Sequence, residues 1–153
     1  MIIRVVLRMI KIEYPAYSFR IKKVNNNEVI FDELRKSWLR LTPEEWVRQN
    51  FIRYLVLVKK YPASLIAIEK EIWLGELKKR FDILVYNQQH KPWMIIECKE
   101  MKIDIDQNVL EQVLRYNMAV PVRYMVITNG SHCMGYEKTG DGLEILEQLP
   151  SFG

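Results

Sequence analysis

Soft metal ligands are scarce in this chain. Its 153 residues include two cysteines, Cys98 and Cys133, and two histidines, His90 and His132. Their spacing is not that of a zinc site, and two thiols do not make the disulfide framework of a small secreted protein. The sequence therefore argues against a zinc centre and against a fold held together by disulfides.

Long apolar runs are missing as well. The N-terminal stretch MIIRVVLRMI is apolar, but Arg4 and Arg8 interrupt it and no small-residue cleavage site follows. It is too short to span a membrane and does not have the pattern of a signal peptide. We therefore expect a cytoplasmic protein with no membrane partner.

The composition is that of an ordinary globular protein, with 49% hydrophobic and 27% charged residues. A chain of this length is most economically one domain, which buries about 70% of its unfolded surface. We divide it into an N-terminal extension with strands at 1–30, a core at 31–136 and a C-terminal strand or tail at 137–153. The net charge of +4 favours an anionic partner.

The stretch RFDILVYNQQHKPWMIIECKE, residues 80–100, predicts two short strands joined by a polar loop at 87–92. If Tyr86 pairs with Trp93, Asp82 falls opposite Glu97. Because side chains alternate along a strand, each face of the hairpin has a predicted set of residues. One face is Arg80, Asp82, Leu84, Tyr86, Trp93, Ile95, Glu97 and Lys99, and the buried face is Phe81, Ile83, Val85, Met94, Ile96 and Cys98.

Two opposed carboxylates on neighbouring strands repel each other, so a cation is expected near Asp82 and Glu97. Two arrangements would supply this cation. In one, the carboxylates are neutralised in a surface salt-bridge cluster by Arg80, Lys99 or Lys79. In the other, a divalent metal binds both carboxylates while Lys99 faces a phosphate or water. The hairpin alone does not choose between these alternatives.

Apolar periodicity and turn residues predict the other elements. In chain order these are strands at 2–9 and 18–24, helices at 31–41 and 43–59, a strand at 64–74, a turn at 75–79, a helix at 107–119, a strand at 122–128, and lesser elements at 132–136 and 143–149. Thr42 and Asp106 are the predicted N-caps of two helices, with Pro43 in the first helical position. The strand–helix–strand unit at 93–128 predicts a right-handed parallel crossover.

Glu45 has two interpretations. It lies three residues after the Thr42 cap, so it suits the acidic position of a capping box. Its helical neighbours lie at the margin of the apolar face, so its carboxylate could also point towards an active site. Without further information the cap is the simpler interpretation.

The segments LTPEEWVRQNF, KKRFDILVY, IIECK, QVLRYN and VITNG occur in this order on the predicted elements. The arrangement resembles the PD-(D/E)XK nuclease superfamily, whose core is an α-β-β-β-α-β unit with a central mixed sheet flanked by helices. Gln112 and Tyr116 resemble the QxxxY helix of its RecB-like branch. More narrowly, residues 31–136 resemble the N-terminal nuclease domain of type I restriction enzyme R subunits.

This resemblance implies a metal-dependent DNA nuclease. Asp82 and Glu97 would bind Mg²⁺, with Mn²⁺ as an alternative, and Glu45 would complete the acidic site directly or through water. Lys99 would be the catalytic lysine, and Gln112 and Tyr116 would face the site. The basic residues expected to steer the phosphate backbone are Lys78, Lys79, Arg80, Lys102 and Arg115.

The chain departs from the family pattern in two ways. The proline that often precedes the aspartate is Phe81 here, and no phosphate-binding GxxxxGK[ST] sequence occurs. The resemblance thus implies a nuclease fold with no ATP site in this chain, and a separate helicase or specificity protein, or a homodimer, stays open. A nucleic-acid-binding module that does not cut, and a structural protein with a salt-bridge cluster, are the competing hypotheses.

Overall fold

The computed structural model of the chain describes residues 8–140 and 142–153. Its strands are β1 Ile21–Val24, β2 Asn27–Asp32, β3 Ser37–Arg40, β4 Ile66–Leu74, β5 Leu77–Tyr86, β6 Pro92–Cys98, β7 Tyr124–Thr128, β8 Cys133–Thr139 and β9 Gly142–Ile145. Two α-helices, α1 Pro43–Arg53 and α2 Gln107–Asn117, accompany them. The protein is therefore a mixed α/β fold.

Strands β4 to β9 form one six-stranded sheet in sequence order. Strands β4, β5 and β6 form an antiparallel meander, β7 runs parallel to β6, and β8 and β9 continue antiparallel. The predicted meander and the parallel pairing across α2 are confirmed. The crossover is needed because two parallel strands cannot be joined by a tight turn.

Helix α1 begins where the sequence predicts. The hydroxyl of Thr42 accepts a hydrogen bond of 3.0 Å from the backbone N–H of Glu45, and Pro43 occupies the first turn. After Arg53 the helix continues as a π-helical segment, Tyr54–Val58. The predicted helix at 43–59 is therefore confirmed in position and approximate length.

Helix α2 is capped at both ends. At its N-terminus, the Asp106 carboxylate accepts from the N–H of Val109 at 2.9 Å, as predicted. At its C-terminus, the ammonium of Lys79 donates to the carbonyl of Tyr116, and that of Lys138 donates to the carbonyl of Met118 at 3.0 Å. Lysines at this end stabilise the helix because they satisfy carbonyls that lack partners in the helix.

Strands β1, β2 and β3 form a separate antiparallel sheet, with β2 in the centre. The predicted helix at 31–41 is wrong, because this segment forms the end of β2, a turn and β3. The carboxylate of Asp32 accepts from the backbone N–H groups of Leu34 and Arg35 at 2.8 and 2.9 Å, which closes the turn. Phe31 and Trp38, which share a predicted helix face, are paired across two strands instead.

Other boundaries also differ from the prediction. The predicted turn at 75–79 is shorter, since β5 begins at Leu77 and Gly75 has a φ of +64°. Of the predicted strand at 2–9, residues 2–7 lie outside the described residues, and residues 8 and 9 are not in a strand. Within residues 8–140 and 142–153, no helix has the length and apolar character needed to span a bilayer.

The six-stranded sheet has an apolar core on each side. One cluster joins α1 residues such as Phe51 to sheet residues such as Ile96. The other joins α2 residues such as Leu110 to sheet residues such as Ile95. The ends of β5 and β6 that carry Asp82 and Glu97 are therefore held between two packed layers.

Candidate active site

The β5–β6 hairpin brings Asp82 and Glu97 together. Ile83 pairs with Ile96 and Leu84 with Ile95. Asp82 and Glu97 are the next residues on the two strands, and their carboxyl groups share a hydrogen bond. The predicted register is therefore found in the centre of the hairpin. It fails at the loop end, where a bulge makes Tyr86 pair with Pro92 instead of Trp93.

Phe81 and Trp93 lie on the opposite sides of the sheet from those predicted. Phe81 packs in the cluster with the α2 residue Leu110, and Trp93 packs in the cluster with Phe51 of α1. The bulge beside Tyr86 accounts for Trp93, because one extra residue reverses the alternation.

A second irregularity lies beside Asp82. Strands β4 and β5 pair along their length except at one position, where Glu69 and Asp82 are not partners. Glu69 has a φ of +51°. A left-handed residue in an edge strand interrupts regular pleating. The interruption lies between Phe81 and Ile83, which pack on opposite sides of the sheet. It is also next to the carboxyl groups of Asp82 and Glu97.

The Asp82 carboxylate is held by two donors. One oxygen accepts from the backbone N–H of Cys98 at 2.8 Å, and the other accepts from the guanidinium of Arg48 at 3.1 Å. The Arg48 side chain is 4% exposed, so Asp82 has a buried cationic partner. Arg48 was not among the predicted site residues. The sequence signal for it is its position on α1, one helical turn after Glu44.

Glu97 is in a different environment. Its pKa is raised to about 8, first because it is buried and then because the Asp82 carboxylate repels its charge and shares a hydrogen bond with its protonated form. The Lys99 ammonium opposes this increase, and the carboxylate of Glu44 adds to it. Ionising both carboxyl groups is therefore unfavourable, and a further cation would relieve the repulsion between their charges.

The structure separates Glu44 from Glu45. The buried carboxylate of Glu45 accepts from Arg48 at 2.7 Å, from Arg35 at 3.1 Å and from Gln49 at 3.1 Å. It neither folds back as a capping-box acid nor faces Glu97. The partly exposed Glu44 carboxylate adjoins Asp82, and burial and that charge raise its pKa. The structure thus places the Glu44 carboxylate next to Asp82, whereas that of the predicted site residue Glu45 is engaged by two arginines and a glutamine.

A cavity of about 360 Å³ opens beside Glu97, between the hairpin and α2. Its lining residues are Arg80, Glu97, Lys99, Gln112, Val113, Tyr116 and Asn117. Five predicted site residues thus share one cavity, including both members of the QxxxY pair. The helical spacing of Gln112 and Tyr116 places them on one side of α2.

The remaining predicted basic residues are not in this cavity. The Lys79 side chain is buried, and its ammonium lies 3.9 Å above the Tyr116 ring. The Lys78 ammonium lies 2.7 Å from the Glu71 carboxylate, near the end of the β4–β5 hairpin. Lys102 and Arg115 are exposed and do not line the cavity.

Asn117 is a further cavity residue that the sequence interpretation missed. It is 1% exposed, and its amide nitrogen donates to the carbonyl of Val113 at 3.0 Å. Its amide oxygen has no hydrogen-bond partner among residues 8–140 and 142–153. A buried acceptor without a partner at a polar cavity is suited to a ligand or a water molecule.

The donor set suits a hard divalent cation. Mg²⁺ prefers oxygen ligands and is often held by one or two carboxylates plus substrate phosphate and water. Asp82 and Glu97 supply two neighbouring carboxyl groups. In the part of the chain that the structure describes, no group of three or more His, Cys, Asp or Glu side chains is arranged to hold a metal ion.

The chain matches the model of a known protein family. Residues 43–150, well over half of the chain, match the family model described as the type I restriction enzyme R protein N terminus. The matched range includes Asp82, Glu97, Lys99 and both residues of the QxxxY pair, and it leaves out the three-stranded sheet. A search of curated proteins gave no match.

Proposed function

Because the chain belongs to the type I restriction enzyme R protein N terminus family, we propose that it is a nuclease domain that hydrolyses DNA phosphodiester bonds with Mg²⁺. The match confirms the family predicted from the sequence motifs. Family membership connects the chain with restriction enzymes, and the hydrolytic activity rests on the residues at the cavity.

The order of elements supports a restriction-endonuclease-like fold. Helix α1, strands β4, β5 and β6, helix α2 and strand β7 follow each other as α-β-β-β-α-β. Asp82 is on the second strand of this unit and Glu97 on the third, and Lys99 follows directly after the third. This order is the one that the PD-(D/E)XK resemblance predicts.

Six residues in and beside the cavity have a chemical task in this proposal. Asp82 and Glu97 hold the metal, and Glu44 adds a third acidic group through water. A bound divalent cation would polarise the scissile phosphate and lower the pKa of a water molecule. Lys99 orients that water or stabilises the charge that develops on the phosphate. Gln112 and Tyr116 position the substrate from α2.

The observation that carries the proposal is the repulsion between Asp82 and Glu97 at a polar cavity. Glu97 keeps a raised pKa although Lys99 is near, so this ammonium does not offset the burial of Glu97 and its repulsion by Asp82. Of the other two candidates for neutralising the pair, Arg80 has its guanidinium 2.7 Å from Glu69, and the ammonium of Lys79 donates to the carbonyl of Tyr116. The surface salt-bridge alternative therefore has less support than the metal site.

Nicking of supercoiled plasmid DNA tests the proposal. We expect cleavage in Mg²⁺ or Mn²⁺ that is lost in Glu97→Gln and Lys99→Ala, each by at least about 100-fold. Glu144→Gln and Lys91→Ala make the same charge changes at exposed positions away from the cavity. Folded protein that does not cleave with any divalent metal, or equal cleavage by Glu97→Gln, would contradict the nuclease assignment.

One observation favours a second candidate, a nucleic-acid-binding module that does not cut. Arg48 already provides a buried cation to Asp82, so one metal ligand is partly engaged. A silent module would bind DNA in a salt-dependent manner, and Glu97→Gln would leave that binding unchanged or make it tighter. A nuclease would instead lose metal-dependent cleavage in the same variant, so the two assays together separate the candidates.

DNA is the proposed substrate, and the family name connects the chain with the other subunits of type I enzymes. In the proposed complex, a separate helicase or specificity protein supplies DNA translocation or sequence recognition. A homodimer would be an alternative source of a second cutting site. Light scattering of the chain alone, with and without DNA, distinguishes the dimer from the monomer.

A further inference from the structure

The three-stranded sheet has one face that carries cations and aromatic rings without any acid. On this face Lys22 of β1, Val29 of β2 and Arg40 of β3 form one row of cross-strand partners. Phe31 and Trp38 form the next row. The other face contains the buried residues Ile30 and Asp32 and therefore packs against the protein.

The cations on this face contact rings instead of carboxylates. The guanidinium of Arg20 lies 4.5 Å from the centre of the Phe31 ring, and the ammonium of Lys22 lies 4.1 Å from that of Trp38. Among residues 8–140 and 142–153, neither they nor Arg40 form an ion pair. Their positive charge is thus available to an anionic partner.

We propose that this face, formed by Arg20, Lys22, Phe31, Trp38 and Arg40, binds single-stranded nucleic acid. On binding, Arg20 and Lys22 would move from the rings to phosphates, together with Arg40. The rings of Phe31 and Trp38, both partly exposed, would then stack with bases. The site goes beyond the proposed cleavage site, since it lies outside the matched residues 43–150.

The geometry of the face favours a single strand over a duplex. Three strands spaced about 4.8 Å apart make a flat surface about 10 Å wide, which suits two or three unstacked bases. In a duplex the base faces are stacked within the helix and cannot reach Phe31 or Trp38. A duplex would therefore use only the cations and would bind more weakly.

The sheet is also connected to the candidate active site. Arg35, in the turn between β2 and β3, donates to the carboxylate of Glu45 on α1 at 3.1 Å and to that of Glu69 on β4 at 3.4 Å. The first turn of α1 carries Glu44 beside Asp82. A nucleic-acid strand bound on the sheet would consequently be linked to the acidic pair through these hydrogen bonds.

Fluorescence anisotropy of the whole chain tests this site, with labelled dT and rU oligonucleotides of about 12 nucleotides and a duplex of equal length. Chelator is present, so the result does not depend on whether the protein cleaves. Lys22→Glu and Lys23→Glu form a matched pair, because both residues are exposed on β1 but Lys23 lies across from Glu28 on the other face.

We expect binding to dT or rU that is at least about 5-fold tighter than binding to duplex. Lys22→Glu should weaken this binding about 10-fold and lower the salt slope by about 0.7, and Lys23→Glu should change it less than about 2-fold. Trp38→Phe should retain most of the binding, since it keeps a ring. No binding to either single strand, or equal losses of binding in the two lysine variants, would overturn the proposal. The cations would then serve only to cover the aromatic rings.

Discussion

Arg48 donates a hydrogen bond of 3.1 Å to the Asp82 carboxylate and one of 2.7 Å to the Glu45 carboxylate. One buried guanidinium thus joins helix α1 to strand β5, and it leaves Glu97 as the acid of the pair without an equivalent partner. The relationship explains both how Asp82 is held in place and why the two carboxylates differ.

Replacing Arg48 should destabilise the protein strongly. Arg48→Ala leaves buried Glu45 without its shortest ion pair, and breaking a buried pair on one side costs about 3 kcal/mol. Urea unfolding measures this change. Arg115→Ala, an exposed arginine on α2, serves as the control and should change the free energy of unfolding by less than about 0.5 kcal/mol. Equal effects of the two variants would show that Arg48 is not a structural link.

Glu44 and Glu45 should respond differently to the same substitution. Glu44→Gln should lower the rate of DNA nicking while the free energy of unfolding stays within about 0.5 kcal/mol, because its side chain is 49% exposed. Glu45→Gln should lower the stability by about 2 kcal/mol, because its charge is paired with two arginines. The opposite result would return the third acidic role to Glu45.

Mg²⁺ should stabilise the folded protein through Glu97. At a concentration ten times the dissociation constant, binding adds about 1.4 kcal/mol, which corresponds to a rise of about 3 to 5 °C in the thermal midpoint. Glu97→Gln should remove most of this rise, whereas Glu144→Gln should retain it. A rise of equal size in Glu97→Gln would place the bound metal elsewhere.

Asp32 should contribute to acid unfolding. Burial opposes its ionisation, but hydrogen bonds from Arg35 and Gln49 outweigh burial and lower its pKa. A lowered folded-state pKa stabilises the protein above the unfolded value of about 3.9, and this contribution disappears as the pH falls through the folded value.

Asp32→Asn should therefore cost about 2 kcal/mol at pH 7 and progressively less below about pH 4. Urea midpoints measured from pH 7 down to pH 3 give the profile, and Asp104→Asn is the exposed control. A constant difference over this range would mean that the charge of Asp32 does not contribute to stability.

Much of the matched core could be predicted from the sequence. Local turn chemistry and period-two alternation can be read from neighbouring residues. They predicted the caps at Thr42 and Asp106, the β4–β5–β6 meander and the parallel β6–β7 pair. The centre of the hairpin register followed for the same reason. The caps and turns depend on interactions within a few residues along the chain, and the strand pairs follow from the order of the strands, turns and crossover helix.

The helix predicted at 31–41 shows where local periodicity fails. Phe31, Leu34 and Trp38 have helical spacing, but the Asp32 carboxylate closes a turn and receives hydrogen bonds from Arg35 and from Gln49 of α1. The contact with Gln49 is tertiary, so no window of neighbouring residues contains it.

The sequence by itself determined that Asp82 and Glu97 lie on two neighbouring strands and that Lys99 follows directly after the second of them, and the proposed metal chemistry rests on these residues. Only the tertiary structure decided their environment. It paired Asp82 with Arg48 of a distant helix, directed Glu45 into a salt-bridge network and brought Glu44 beside the pair. Burial and charge at a site depend on which elements pack together, and that packing is not encoded in the spacing of any one motif.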